Sequence, residues 1–158
     1  MILSLTAIIA AAATSLPGAT VIACPQDAVQ ADCRFRGAGA LQAAIEATPD
    51  GGTLVIRAGE YVAEGGRSTA FQDATLPSFL TIADRSITIR ADDGAVLTGN
   101  PKAPSTAITL VNANATISGL EVRDFTYASD EDALYDGHGI FPIDSRVTID
   151  RVRLARIS

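Results

Sequence analysis

The chain has 158 residues, 47% hydrophobic and 19% charged, with a net charge of −6. That balance supports one packed domain and excludes a disordered or collagen-like chain, while the acidic charge and the lack of a long basic run argue against a nucleic-acid or anionic-membrane surface. The absence of Trp, with only five Phe and three Tyr beside abundant Thr, Val, Ile, Gly and Ala, favours stacked short strands over a helical bundle.

Residues 2–16 carry no charge, and Ile2, Leu3, Leu5, Ile8 and Ile9 lead into Ala10 to Ala13. With Pro17-Gly18-Ala19 behind them, residues 1–19 are expected to be a signal peptide, although the usual early Lys or Arg is missing. The alternative is a buried terminal strand or helix. Broken by Pro17, the stretch is too short for a membrane span. The expected location is therefore secreted or periplasmic, an oxidising setting in which Cys24 and Cys33 pair as a small disulfide loop within segment 20–38. Val21-Ile22-Ala23-Cys24 also has the outline of a lipoprotein-type box, and acylation there would leave Cys33 unpaired.

Further on, Leu41, Ala44, Ile45 and Thr48 recur at helical spacing until Pro49-Asp50-Gly51-Gly52 stops the pattern. Thr53 to Ile56 reads as a strand, followed by Tyr61-Val62, and Glu64 to Pro77 as a loop dominated by Gly65, Gly66, Ser68 and Thr69. A repeat then takes over. Phe79 to Ile89, Ala107 to Ile117 and Gly139 to Ile149 superpose without a gap, each ending in Thr-Ile: Thr88-Ile89, Thr116-Ile117 and Thr148-Ile149. Spacings of 28 and then 32 residues mark a solenoid. The expected fold is all-β: a right-handed parallel β-helix, a single-stranded solenoid over residues 39–158, with a short N-terminal α-helix capping its first coil. Ile89, Ile117 and Ile149 stack in it, as do Leu80, Ile108 and Ile140. Asp84, Asn112 and Asp144 form a polar turn row, and Glu121 and Arg153 fall side by side.

Gly39-Ala40-Leu41-Gln42-Ala43-Ala44-Ile45, Pro49-Asp50-Gly51-Gly52-Thr53-Leu54-Val55-Ile56, Gly59-Glu60-Tyr61 and Gly94-Ala95-Val96-Leu97-Thr98-Gly99 resemble the cap and first coils of the pectate-lyase-like superfamily. The resemblance covers residues 39–158. It implies an exported protein that acts on or binds an acidic polysaccharide, as a lyase, epimerase or glycoside hydrolase, or else a non-catalytic adhesin or scaffold; fold alone does not choose among them.

Gly137-His138-Gly139-Ile140 is similar to the Gly-His-Gly motif of polygalacturonases, which implies a catalytic role for His138. The preceding coil has Ser105, Thr106, Ala107 and Ile108 at the equivalent positions and no carboxylate, so inverting hydrolysis loses its pair of acids. The plainer reading makes His138 an exposed turn residue. Asp130, Glu131, Asp132 and Asp136 would suit calcium, with Asp130, Asp132 and Asp136 as ligands, or form a solvated acidic loop. With His138 or Tyr135 as base and Arg146 or Arg151 neutralising a uronate carboxylate, β-elimination becomes conceivable. Asn114-Ala115-Thr116 fits a glycosylation sequon but reads as turn chemistry. Val152, Leu154 and Ile157 set up one more inward row, so further coils or a partner chain are expected over the C-terminal end of a truncated β-helix.

Overall fold

The computed structural model describes residues 18–126 and 137–158, a parallel β-solenoid of about four turns. The proposed signal segment lies almost wholly outside the described residues, and Asp130, Glu131, Asp132, Tyr135 and Asp136 lie outside them too. In chain order the elements are β1 (Thr20–Cys24), β2 (Phe35–Arg36), α1 (Leu41–Ala47), β3 (Gly52–Ile56), β4 (Gly59–Val62), β5 (Arg67–Phe71), β6 (Ala74–Ala83), β7 (Ser86–Ala91), β8 (Ala95–Thr98), β9 (Thr106–Val111), β10 (Asn114–Ser118), β11 (Glu121–Arg123), β12 (Ile140–Ile143), β13 (Arg146–Asp150) and β14 (Arg153–Ala155).

Three sheets run the length of the solenoid. Sheet A has the order β13-β10-β7-β3-β1-β2, sheet B the order β14-β11-β8-β4, and sheet C the order β12-β9-β6-β5. The β6-β7-β8, β9-β10-β11 and β12-β13-β14 triplets are therefore successive coils, each visiting C, A and B in turn. The apolar ladders lie in register: Leu54 opposite Ile89, then Ile117, then Ile149, and Leu80 opposite Ile108, then Ile140. Leu54, Ile89 and Ile117 are essentially unexposed, because alternate strand residues point into the coil and each coil covers the next.

Single residues in the left-handed region turn the corners. Asp84, Asn112 and Asp144, at φ of 53°, 47° and 47°, turn C into A. Gly119 and Arg151 turn A into B, and Asp124 and Arg156 turn B back toward C. Asp, Asn and Gly tolerate this conformation best, which explains the polar turn row. The row bonds along itself as well as to backbone: the Asn112 side-chain amide donates to Asp84 Oδ1 at 2.9 Å.

At the N-terminal end α1 buries Leu41, Ala44 and Ile45 in the core. Its Gln42 does the work of a strand residue. The Gln42 side-chain amide donates to the Thr81 carbonyl at 3.1 Å, and its oxygen accepts the Thr81 N–H at 2.9 Å, so the edge of β6 is satisfied where no strand reaches it. Arg85 closes the other end of α1 by donating to the Ile45 and Thr48 carbonyls at 2.8 and 3.2 Å. Fully buried Tyr61 donates to the Arg57 carbonyl at 3.0 Å.

The structure corrects two expectations. The stretch Glu64–Pro77 is not a structureless loop: it contains the antiparallel hairpin of β5 and the start of β6, turned at Gln72 with φ 52°. Thr20–Cys24, read as part of a disulfide segment, is a strand of sheet A, paired with β3 from Thr20–Thr53 to Ala23–Ile56. The expected Cys24–Cys33 disulfide is present, with both side chains buried.

Candidate functional site

The C-to-A corner builds a groove parallel to the solenoid axis. Its floor and walls are Asp84, Arg85 and Ser86 from one coil, Asn112, Ala113 and Asn114 from the next, and Pro142, Asp144, Ser145 and Arg146 from the last, with Asp50 at the N-terminal end; its volume is about 820 Å³. Each coil adds the same three positions because the ladder continues through the corner: Asn114 N–H donates to the Arg85 carbonyl at 2.9 Å, and Arg146 N–H to the Ala113 carbonyl at 2.9 Å.

The groove's polar groups divide into those the fold consumes and those it leaves free. Asp50 accepts the Ser86 N–H at 2.6 Å, and Asp84 accepts from Asn112. The Ser145 hydroxyl donates to the Ile143 carbonyl at 2.7 Å and accepts the Ala113 N–H at 3.0 Å. Arg85 is committed to α1. Asp144 and Arg146 are exposed, and their side chains take no hydrogen bond or ion pair among the described residues. The groove therefore offers a carboxylate, a guanidinium and a line of amides and hydroxyls to solvent.

Among the described residues, Arg146 is the candidate catalytic residue from the sequence that lies inside this groove, beside the turn row of Asp84, Asn112 and Asp144. His138 is not there: it precedes β12, whereas Arg146 opens β13 beyond the corner at Asp144, so β12 separates the two. His138 is half-buried, its ring centroid 4.6 Å from that of Phe141, and its Nδ1 is buried without a hydrogen-bond partner among the described residues. Next to it, Gly137 N–H donates to the Ser105 hydroxyl at 3.2 Å. Arg151 lies at the A-to-B corner beside Asp150, at 3.1 Å, and faces neither. Among the described residues no three His, Cys, Asp or Glu side chains group as a metal site, and no helix is long and apolar enough to cross a membrane.

No family model, curated protein or solved structure matches this chain. The surface chemistry therefore has to be read from the geometry. Sheet B and its corner toward C carry a set of paired charges. Arg123 pairs with Glu60 at 2.8 Å, Glu60 also accepts from the Thr98 hydroxyl at 2.7 Å, and Arg156 holds both oxygens of Asp124. Arg153 lies 3.8 Å from Glu121, beside it in register. These groups neutralise one another, whereas those of the groove do not.

The same network makes a pH prediction. The Thr98 hydroxyl, then Arg123, holds the Glu60 carboxyl below its ordinary value of 4.5, and the Arg156 hydrogen bonds hold Asp124 below 3.8. A carboxyl depressed in the folded state stabilises fully above its unfolded pKa, and the contribution disappears as pH falls through the folded value. Melting temperature should thus be flat near neutrality and drop on acidification below those ordinary values. A Glu60→Gln, Asp124→Asn chain should show a shallower acid-side drop, and the difference should be small because both groups are solvent-screened. An acid limb as steep as that of the wild type in thermal melts would disprove this origin.

Proposed function

We propose that this chain is an exported β-solenoid that binds a polysaccharide, preferentially an acidic one, along the groove at the C-to-A corner. One observation carries the reading: polar positions repeat once per coil along an open axial groove, with Asp144 and Arg146 left uncommitted. A linear polymer of repeating hydroxyl-rich units fits a repeating polar groove better than a compact ligand does, and an exposed guanidinium suits a uronate carboxylate. The uncharged run over residues 2–16 and the Cys24–Cys33 disulfide support export.

The test is a panel of polyuronates and their neutral counterparts in affinity electrophoresis and calorimetry. Arg146→Ala should weaken polyuronate binding about tenfold while leaving the melting temperature in place. Absence of binding to every polymer, or unchanged affinity in the variant, would reject the groove as the site.

A second reading, turnover of a polysaccharide by β-elimination, hydrolysis or epimerisation at a separate site around His138, outside the groove, is prompted by the His138 Nδ1, which takes no hydrogen bond among the described residues. Imidazole is the side chain most often used as a general base. Turnover that His138→Ala abolishes, with binding retained, would establish it. Binding without turnover by the wild type would leave a recognition module or scaffold.

A further inference from the structure

The Thr of each Thr-Ile pair belongs to a longer row than the repeat suggests. Thr53 pairs with Thr20 on one side and Thr88 on the other, Thr88 pairs with Thr116, and Thr116 with Thr148. Because the neighbouring isoleucines point inward, these five threonines form one in-register line on the outer face of sheet A. Thr20 and Thr148 are exposed, the other three half-buried, and none of the five hydroxyls takes a hydrogen bond to a described protein atom. Adjacent rungs of such a line lie about 4.8 Å apart, the strand spacing.

The rows on either side add charge and join this line to the groove. Toward the groove lie Ser86, Asn114 and Arg146, again in register, and all three also line the groove. On the far side Arg90 stands opposite Ser118, which stands opposite Asp150. Asp150 is paired with Arg151 at 3.1 Å. Arg90 and Arg146 are exposed and have no carboxylate partner among the described residues. The free charges flanking the threonines on this face are thus both cationic.

We propose that the outer face of sheet A extends the groove into a bed for an extended, carboxylate-bearing polysaccharide that lies along the solenoid axis. The proposal rests on the groove being a polysaccharide site and adds the threonine face, Arg90 and the extended shape of the ligand. An equatorially linked pyranose chain in its ribbon form advances by roughly one ring per unit, close to one coil, so successive sugars meet successive threonines. Threonine suits both parts of a sugar ring, its hydroxyl exchanging hydrogen bonds and its methyl meeting the C–H face. Stiff χ1 angles hold the row in place before binding, so little side-chain entropy is lost. Arg90 and Arg146 stand on opposite sides of the line and two rungs apart; because successive units of such a ribbon turn their carboxylates to alternate sides, one arginine meets the unit on its own rung and the other reaches along the line to a neighbouring unit.

The experiment uses the full chain with polymannuronate, an extended diequatorial uronan, and with β-linked mannan, its carboxyl-free counterpart. Thr88→Val with Thr116→Val removes two hydroxyls but keeps β-branched shape and strand preference, so the melting temperature should stay within a few degrees. Polymannuronate affinity should fall about tenfold in that double variant and by a similar factor in Arg90→Gln. Mannan should bind the wild type more weakly and be indifferent to Arg90→Gln. Polymannuronate binding at wild-type strength in both variants, while Arg146→Ala still weakens it, would overturn the threonine bed and leave the groove reading intact. Equal affinity for mannan and polymannuronate would overturn the charge selection. Failure of the wild type to bind any polysaccharide would remove the groove reading and this one together.

Discussion

An Ile117→Asp chain should fail to form the solenoid, giving a disordered circular dichroism spectrum and no cooperative melt under conditions in which the wild type is folded. Ile117 is unexposed and lies in register between Ile89 and Ile149. The substitution forfeits about 1.5 to 3 kcal/mol of apolar burial and places a carboxylate in a rung with no cation facing it. That group either ionises at several kcal/mol or takes up a proton at comparable cost near neutral pH, against a total stability of about 5 to 15 kcal/mol. Ile117→Val, which keeps the branched shape, should cost only about 0.5 to 1.5 kcal/mol and melt cooperatively. A folded Ile117→Asp chain with a near-wild-type melt would mean that the ladder is not the core.

Gly99→Val should be almost as damaging, for a geometric reason. Gly99 follows β8 at the corner where sheet B turns toward C, and its N–H donates to the Arg123 carbonyl at 2.8 Å. A β-carbon there would lie 2.0 Å from the Asp124 carbonyl oxygen and 2.8 Å from the Phe125 nitrogen, both backbone atoms of the next coil. No rotamer relieves a clash with backbone, so two coils must separate locally and surrender ladder hydrogen bonds. We expect a loss of about 3 kcal/mol or more, on the order of 10 °C in melting temperature. Gly39→Ala is the matched control, since nothing lies within 4 Å of its added carbon. Equal melting temperatures for the two variants would show that the coils do not approach each other as described.

The solenoid was legible where its coils repeat without insertion. From Phe79 onward the apolar positions recur in phase, so the ladders through Ile89 and Leu80, and the turn row of Asp84, Asn112 and Asp144, could be read from spacing alone. Before Phe79 the phase is hidden, because the β5–β6 hairpin is inserted between the first coil and the second. Thr53 therefore reads as an isolated strand residue rather than a rung beside Thr88. Thr20–Cys24 escapes notice for a different reason: ending at the first of two closely spaced cysteines, it reads as part of a disulfide loop, and only its pairing with β3 reveals it.

The candidate site was less legible because it is made by stacking. Arg146 was singled out, but for its charge, not for standing beside Asn114 and Ser86. Asp50 enters the groove from the turn before β3 through a bond to the Ser86 N–H, and nothing in spacing announces that. Gln42 likewise looked like one more helix residue, although its amide completes the edge of β6. Such roles depend on which backbone group lies opposite, which register alone decides.

The groove and its adjoining face are tested most directly by amide resonance mapping on the isotope-labelled full chain, titrated with an oligomannuronate. The account predicts shifts concentrated at Asp84–Ser86, Asn112–Asn114 and Asp144–Arg146, spreading to Thr88, Thr116 and Arg90. Saturable shifts gathered instead on sheet B around Glu60 and Arg123, or no saturable shifts with any uronan, would contradict it.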